Sequence, residues 1–288
     1  MFFAVDHDAN VQFVPEEMRT LVKNSSMCYS VADLMTITKW KQVQTDDRNH
    51  RQPVHLITQW YQEVNLRRRR ELIIVLHMNV VNEAVTKIHL LQPDGVPCTV
   101  EQDVQADPNF PFALLKSKLV VSSLKNFSSE RLTIEKAILY ANENVQSGYA
   151  VLMNLDVFFD QSLILLRNAP MVDCKTAFYL SRYEVDPTIT TLGLQCSNKY
   201  VGSHDALIFH PPVSSNISVH LPFQMGTWNI EVKIIHEFIQ QGYTVRNVCK
   251  SLRIWHLHSS QVRHRLMPSD KFIPGNLLYL TMRYPETL

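Results

Sequence analysis

YAVLMNLDVFFD, residues Tyr149 to Asp160, decides how this 288-residue chain folds. It reads as one hydrophobic strand ending in acid. The segment before it, ERLTIEKAILYANENV, places Leu132, Ala137, Ile138 and Ala141 on one side of a helix, and KLVVSS ahead of that reads as a strand. A loop marked by Pro93, Pro97, Pro108 and Pro111 leads back to the strand TKIHLLQ. Earlier still, VHLITQWY is strand-like, and RRRRELIIVLHMNVVNE carries Leu72, Ile73, Leu76 and Val80 at helical spacing. Downstream come a short helix around SLILLRN and strands in TAFYLSRY and DALIFH. In NIEVKIIHEFIQQG, Ile230, Ile234, Ile235, Phe238 and Ile239 recur at helical intervals, and Gly242 is placed to stop the helix. YTVRNV and LRIWHLH close the series as strands. Strands alternating with helices of this length predict an α/β domain with a mostly parallel sheet flanked by helices, its ligand at the carboxyl ends of the strands.

Composition narrows the function classes. Lys+Arg 28 against Asp+Glu 27 leaves a formal charge of +1, so no global field argues for nucleic acid or a membrane surface. Seven glycines, with no GxGxxG or Walker sequence, argue against a Gly-rich phosphate loop. The five cysteines include no CxxC pair and are odd in number, which predicts reduced thiols rather than a disulfide framework. The start, MFFAVDHDAN, lacks the apolar core of a signal peptide, and no apolar run approaches the roughly 20 residues that span a bilayer. A cytoplasmic or nuclear setting is expected, unless the chain is part of something longer.

Four constellations carry chemistry. Asn154, Asp156 and Asp160 stand where a strand meets the ligand edge, and carboxylates there suit Mg2+ or Mn2+; the alternative is that the two acids cap the turn and the next helix. Ser203-His204-Asp205 cannot form a hydrolytic relay, because adjacent residues on a strand point to opposite faces. Asp205 then serves a sugar or acceptor hydroxyl, or simple turn chemistry. His256 and His258, two apart, project to one face as neutral imidazole ligands, or stand exposed and inert. Arg263 and Arg265 beside them add charge suited to a diphosphate. The run Arg67 to Arg70 reads either as a nucleic-acid patch or as the solvated opening of a helix with one or two side chains turned to a ligand.

Taken in order from about Val54 to Arg263, these segments resemble a family of GT-A-like glycosyltransferases. The resemblance rests on the arginine-and-glutamate helix ending in asparagines and on Tyr140-Ala141-Asn142. It continues through Asn154, Asp156, Phe158, Phe159 and Asp160, then Leu180-Ser181-Arg182-Tyr183, then Ser203, Asp205, Ile208 and Phe209, and ends with His256-Leu257-His258-Ser259. The glycosyltransferase domain of the growth-regulation-by-oestrogen protein family is similar in kind. The resemblance implies a nucleotide-sugar donor such as a UDP-sugar, a protein or glycan acceptor, and Mn2+ or Mg2+ held by Asp156 with His256 and His258. It further implies that Asn154, Asp156, Arg182 and Arg263 line the donor site and that Arg182 with Asp205 lines the sugar or acceptor side, with Asp205 a catalytic candidate. Where the family shows glycine-cysteine-aspartate-asparagine, this chain has Gly226-Thr227-Trp228-Asn229. An indole cannot replace a carboxylate as base, so Glu231, three residues on, is the compensating candidate. Leu155 is also bulkier than the family pattern.

The expected organisation is an N-terminal extension over 1–52, a GT-A-like domain over 53–270 and a tail over 271–288. The expected function is metal-assisted glycosyl transfer. The alternatives are a catalytically silent binding module of the same fold and, third, a nucleotidyltransferase.

Overall fold

The computed structural model describes residues 52–125, 131–168, 175–185, 196, 204–227 and 230–260, and the backbone of a short antiparallel pair, Ala4–Val5 with Val11–Gln12. Ser203, Trp228, Asn229, Arg263 and the expected tail lie outside the described residues, as does nearly all of the expected N-terminal extension.

Asn65 opens the first long helix: its Oδ1 accepts from the Arg68 amide at 3.0 Å, a cap worth about 1 kcal/mol. That helix, α1 (Leu66–Val81), joins two parallel strands, β1 (Val54–Thr58) and β2 (Lys87–Pro93). Two short helices, α2 (Val100–Gln105) and α3 (Phe112–Lys118), occupy the region read from its prolines as loop, each anchored by buried apolar residues, Val100, Val104 and Leu115. Proline is compatible with a helix start, where no backbone donor is needed, and Pro111 stands just ahead of α3. Strand β3 (Leu119–Leu124) adds parallel to β2. Helix α4 (Ile134–Asn144) then returns the chain across β1 to β4 (Tyr149–Met153). The turn into β4 needs Gly148, whose φ is +82° and whose added Cβ would lie 2.0 Å from the Pro53 carbonyl oxygen.

YAVLMNLDVFFD is not one strand. Strand β4 ends at Met153, and β5 (Val157–Phe159) belongs to a different sheet. The last bond of the ladder runs from the Asn154 amide to the Asp205 carbonyl at 3.3 Å, and the chain then turns, the Val157 amide reaching back to the Asn154 carbonyl at 3.4 Å. A 3-10 helix (Gln161–Asn168) follows. Beyond it come β6 (Thr176–Ser181), β7 (Tyr183–Glu184), β8 (His204–Phe209), α5 (Ser215–Val219), α6 (Ile230–Gln240), β9 (Thr244–Arg246) and β10 (Ile254–His256).

The large sheet has seven strands in the order β9-β6-β8-β4-β1-β2-β3. It is mostly parallel, as expected, with β8 antiparallel to both neighbours. Leu72 and Leu76 of α1, with Val100, Val104 and Leu115, cover one face. Ile134, Ile138, Ile217, Ile234 and Phe238 from α4, α5 and α6 cover the other. The chain steps outward from β1 to β3 and resumes on the opposite side of β1 at β4, so the crevice between the ends of β1 and β4 is the place where such sheets bind ligands.

Strands β5, β10 and β7 form a small second sheet. It packs on the far side of α1, where Ile74, Val75 and Met78 meet Phe158, Val185 and Leu257. Covered on two sides, α1 is apolar over most of its circumference. Its asparagines complete the edge of β5. Asn79 donates to the Val157 carbonyl at 3.0 Å and accepts from the Phe159 amide at 3.2 Å, while Asn82 donates to the Phe159 and Asp160 carbonyls. Each side-chain amide takes the part of a neighbouring strand's backbone.

The reading of the cysteines as reduced thiols is corrected. Cys196 and Cys249 form a disulfide across a separation of 53 residues, and Cys98 is a free thiol. Pairing across such a separation is a tertiary fact with no local spacing to announce it. Among the described residues, no helix is long and apolar enough to cross a membrane.

Candidate functional site

The break after β4 puts Asp156 in a turn at the sheet edge. His256, the last residue of β10, is paired with Val157 of β5, which brings its ring beside Asp156. His256 Nε2 lies 3.2 Å and His258 Nδ1 3.6 Å from Asp156 Oδ2. Strand β10 stops at His256, so the two imidazoles do not share a strand face as the sequence suggests; the Leu257 amide bonds the Asp156 carbonyl at 3.1 Å and the chain beyond carries His258 in. Asp156, His256 and His258 each present a ligand atom, all within 4.8 Å of one another. Asp160 takes the capping role instead, its Oδ1 accepting from the Ser162 amide at 2.8 Å.

Arg68 is the one arginine of its run that turns inward, 4 % exposed. Its guanidinium donates to Asp156 Oδ2, to Glu71 Oε2 at 3.0 Å and to the Leu257 carbonyl at 3.0 Å. Glu71 in turn accepts from Ser259 Oγ at 2.7 Å and from the Ser260 amide and hydroxyl at 2.7 and 2.8 Å, which pins the segment that follows His258.

A second cluster adjoins the first. Arg182 donates through Nη1 to both Asp205 oxygens, at 3.0 and 3.1 Å, and through Nε to Glu184 Oε1 at 2.8 Å. Asn154 Nδ2 donates to Asp205 Oδ1 at 2.9 Å. Glu184 Oε2 meets His256 Nδ1 at 2.7 Å. The bonds therefore run without a gap from Glu71 through Arg68, Asp156, His256, Glu184 and Arg182 to Asp205. His204, next to Asp205 in sequence, meets Asn247 at 3.4 Å and packs on the Tyr179 ring.

Burial acts on every one of these groups, and partners decide the result. At Asp156 burial opposes ionisation, but His256, His258 and Arg68 outweigh it and hold the carboxyl well below its usual range. Burial likewise opposes the charge on His256, and Asp156 overturns it, raising the imidazole. Burial of Glu184 is overcome by His256 and Arg182, which lower its carboxyl. Glu231, partly buried in the first turn of α6, has no comparable cation: burial, then repulsion from Asp205, pushes its carboxyl up to about 8. The Tyr179 hydroxyl is raised by burial and by Glu231 and Asp205, and so stays neutral.

The donor set suits a divalent cation. Two imidazole nitrogens and a carboxylate oxygen are the ligands of a borderline metal, which favours Mn2+ over Mg2+. A cation with bonds of about 2.0–2.2 Å holds its ligand atoms within roughly 4.4 Å of one another, and the spacings of the two imidazole nitrogens from Asp156 Oδ2, 3.2 and 3.6 Å, lie inside that limit.

Sequence reasoning selected Asn154, Asp156, Arg182, Asp205, His256 and His258, and the structure gathers them at one edge. It passed over Arg68 as a specific residue and missed Glu71 and Glu184. The one signal for Glu184 was the period-two spacing Arg182-x-Glu184 on a strand. The other resemblance motif, Tyr140-Ala141-Asn142, is architectural: Asn142 both donates to and accepts from the Val213 backbone, at 2.8 and 2.9 Å.

No protein-family model matches the sequence, and no curated protein matches it. Solved structures do share features of the fold. A mannosyltransferase from Pyrobaculum calidifontis in complex with GDP-Man and Mn2+ is similar at 12% identity and TM-score 0.43, over 74% of this chain and 61% of that one. The chain thus spans less than two thirds of that enzyme's length. A 4-diphosphocytidyl-2C-methyl-D-erythritol synthase from Anaerococcus prevotii is similar at 12% identity and TM-score 0.39, over 80% and 93% of the two chains. An inositol-1-phosphate CTP transferase from T. maritima is similar at 11% identity and TM-score 0.36, over 81% and 96%.

Proposed function

We propose that the chain is a metal-assisted glycosyltransferase that takes a nucleotide sugar, such as a UDP-sugar, as donor and a protein or glycan as acceptor. The observation that carries this reading is the convergence of Asp156 with His256 and His258 just beyond the end of β4, which pairs with β1. Those three residues would hold Mn2+, or less favourably Mg2+, and the bound cation supplies charge neutralisation for a departing diphosphate. Arg68, bonded to the same Asp156 oxygen, adds a fixed positive charge beside that position. Arg263, expected at the diphosphate, lies outside the described residues.

The proton step falls to Glu231. A carboxyl raised to about 8 is matched to accepting a proton from an acceptor hydroxyl at a pH of about 8 and above. Asp205, the other catalytic candidate, has both oxygens held by Arg182. Its part is to orient the site and to raise Glu231.

Calorimetry with UDP, with and without Mn2+, tests the reading on wild type and on Asp156→Ala. Mn2+-dependent UDP binding in the wild type and its loss in the variant are expected; equal binding in both would sink the site. One observation favours a silent binding module of the same fold, namely Trp228 where the resembling family carries an aspartate. UDP binding without hydrolysis or transfer of any UDP-sugar would establish that second reading.

A further inference from the structure

Resting on the cation site just proposed, we infer that Glu184 is the positioning residue that makes His256 a ligand, by accepting the hydrogen bond of Nδ1–H and so aiming Nε2 at the point shared with Asp156 and His258. Three features carry the inference. The shortest bond of the Glu184 carboxylate, 2.7 Å, is to His256 Nδ1. The two residues are register partners on the parallel strands β7 and β10, with the Val185 amide on the His256 carbonyl at 3.1 Å, so the backbone fixes their approach. The other Glu184 oxygen is held by Arg182 Nε at 2.8 Å, and Arg182 is itself clamped on Asp205. Glu184 is 8 % exposed, and its carboxylate cannot swing away without breaking its bond to Arg182 Nε.

An imidazole has one ligand nitrogen when neutral, and the hydrogen bond at the other nitrogen decides which one it is. Glu184 and Asp156 both accept only, but the bond to Nδ1 is the shorter, 2.7 against 3.2 Å, so the neutral ring carries its proton on Nδ1 and its lone pair on Nε2. Glu184→Gln reverses this without changing volume. The Arg182 Nε donor still demands an oxygen, so the glutamine amide turns its NH2 toward His256 Nδ1, and the imidazole proton moves to Nε2.

The test is Mn2+ titration followed by electron paramagnetic resonance on wild type and E184Q, with imidazole nitrogen NMR of the metal-free proteins in alkaline buffer to read the tautomer. The expected result is Nδ1–H in wild type, Nε2–H in E184Q, and Mn2+ affinity weaker in the variant by about 10- to 100-fold, the usual effect of removing such a partner. Glu184→Ala gives the same affinity comparison should the glutamine variant not fold. Equal Mn2+ affinity in wild type and variant overturns the role of Glu184 while leaving the cation site standing. A wild type that binds no Mn2+ overturns the cation site and this inference together.

Discussion

Asp156 and Glu231 are two carboxyls whose ionisation burial opposes. His256, His258 and Arg68 overcome it at the first, whereas at the second it prevails and, with repulsion from Asp205, raises the carboxyl to about 8. The sign of the consequence follows from linkage. Glu231 keeps its proton in the folded chain up to about 8 but loses it near 4.5 when unfolded. Stability is therefore greatest below 4.5 as far as this group is concerned, and falls as pH rises through that window, by at most about 1.4 kcal/mol per pH unit. Glu231→Gln removes the slope, so urea midpoints of variant and wild type converge at acid pH and the variant is the more stable near pH 8. If Glu231 is the base, the rate of sugar transfer also rises with pH to a plateau above about 8 in wild type, and E231Q loses transfer while keeping UDP binding. A profile without that limb would remove Glu231 from the proton step.

At the scale of elements, the position of Asp156 depends on how α1 holds β5. Asn79 supplies both a donor and an acceptor to the edge of that strand. Asn79→Ala leaves a buried carbonyl and a buried amide without partners, a loss of about 2–4 kcal/mol in urea unfolding. Because β5 begins one residue after Asp156, weaker Mn2+ binding is expected in the surviving folded protein. A second network ties three strands to α4: His55 to His89 at 2.9 Å, His89 to the Tyr140 hydroxyl at 2.9 Å, and that hydroxyl to Ser122 at 2.9 Å. Burial, then the charges of His55 and Lys87, lower the His89 imidazole to about 4 from 6.5. Above 6.5 it is neutral in both folded and unfolded chains. As pH falls from there toward about 4, only the unfolded chain takes the proton and stability declines, by at most about 1.4 kcal/mol per unit. His89→Gln flattens that acid limb of stability against pH, and an unchanged limb would place its origin elsewhere.

Over the whole molecule, the Cys196–Cys249 bond joins the chain ahead of β8 to the segment leading into β10. Reduction, or Cys196→Ser, is expected to lower stability by about 2–4 kcal/mol, read as a fall in urea midpoint with reductant. The sequence alone determined the element series, because the periods of 3.6 and 2 residues that write helices and strands are local. It also determined which side chains are able to bind a cation, since that is a property of residue type. What only the tertiary structure decided is where those elements stop and which groups meet. Asn154, where the strand gives way to the turn, is held by the carboxylate of Asp205, 51 residues away. Asp156 and His256 meet across 100 residues because β5 and β10 pair in one register. Arg68 turns inward, unlike the arginines beside it, because Asp156, Glu71 and the Leu257 carbonyl are all waiting at one point on α1. Strand pairing and helix packing set such meetings, and both are sums over distant contacts that no local window of sequence contains.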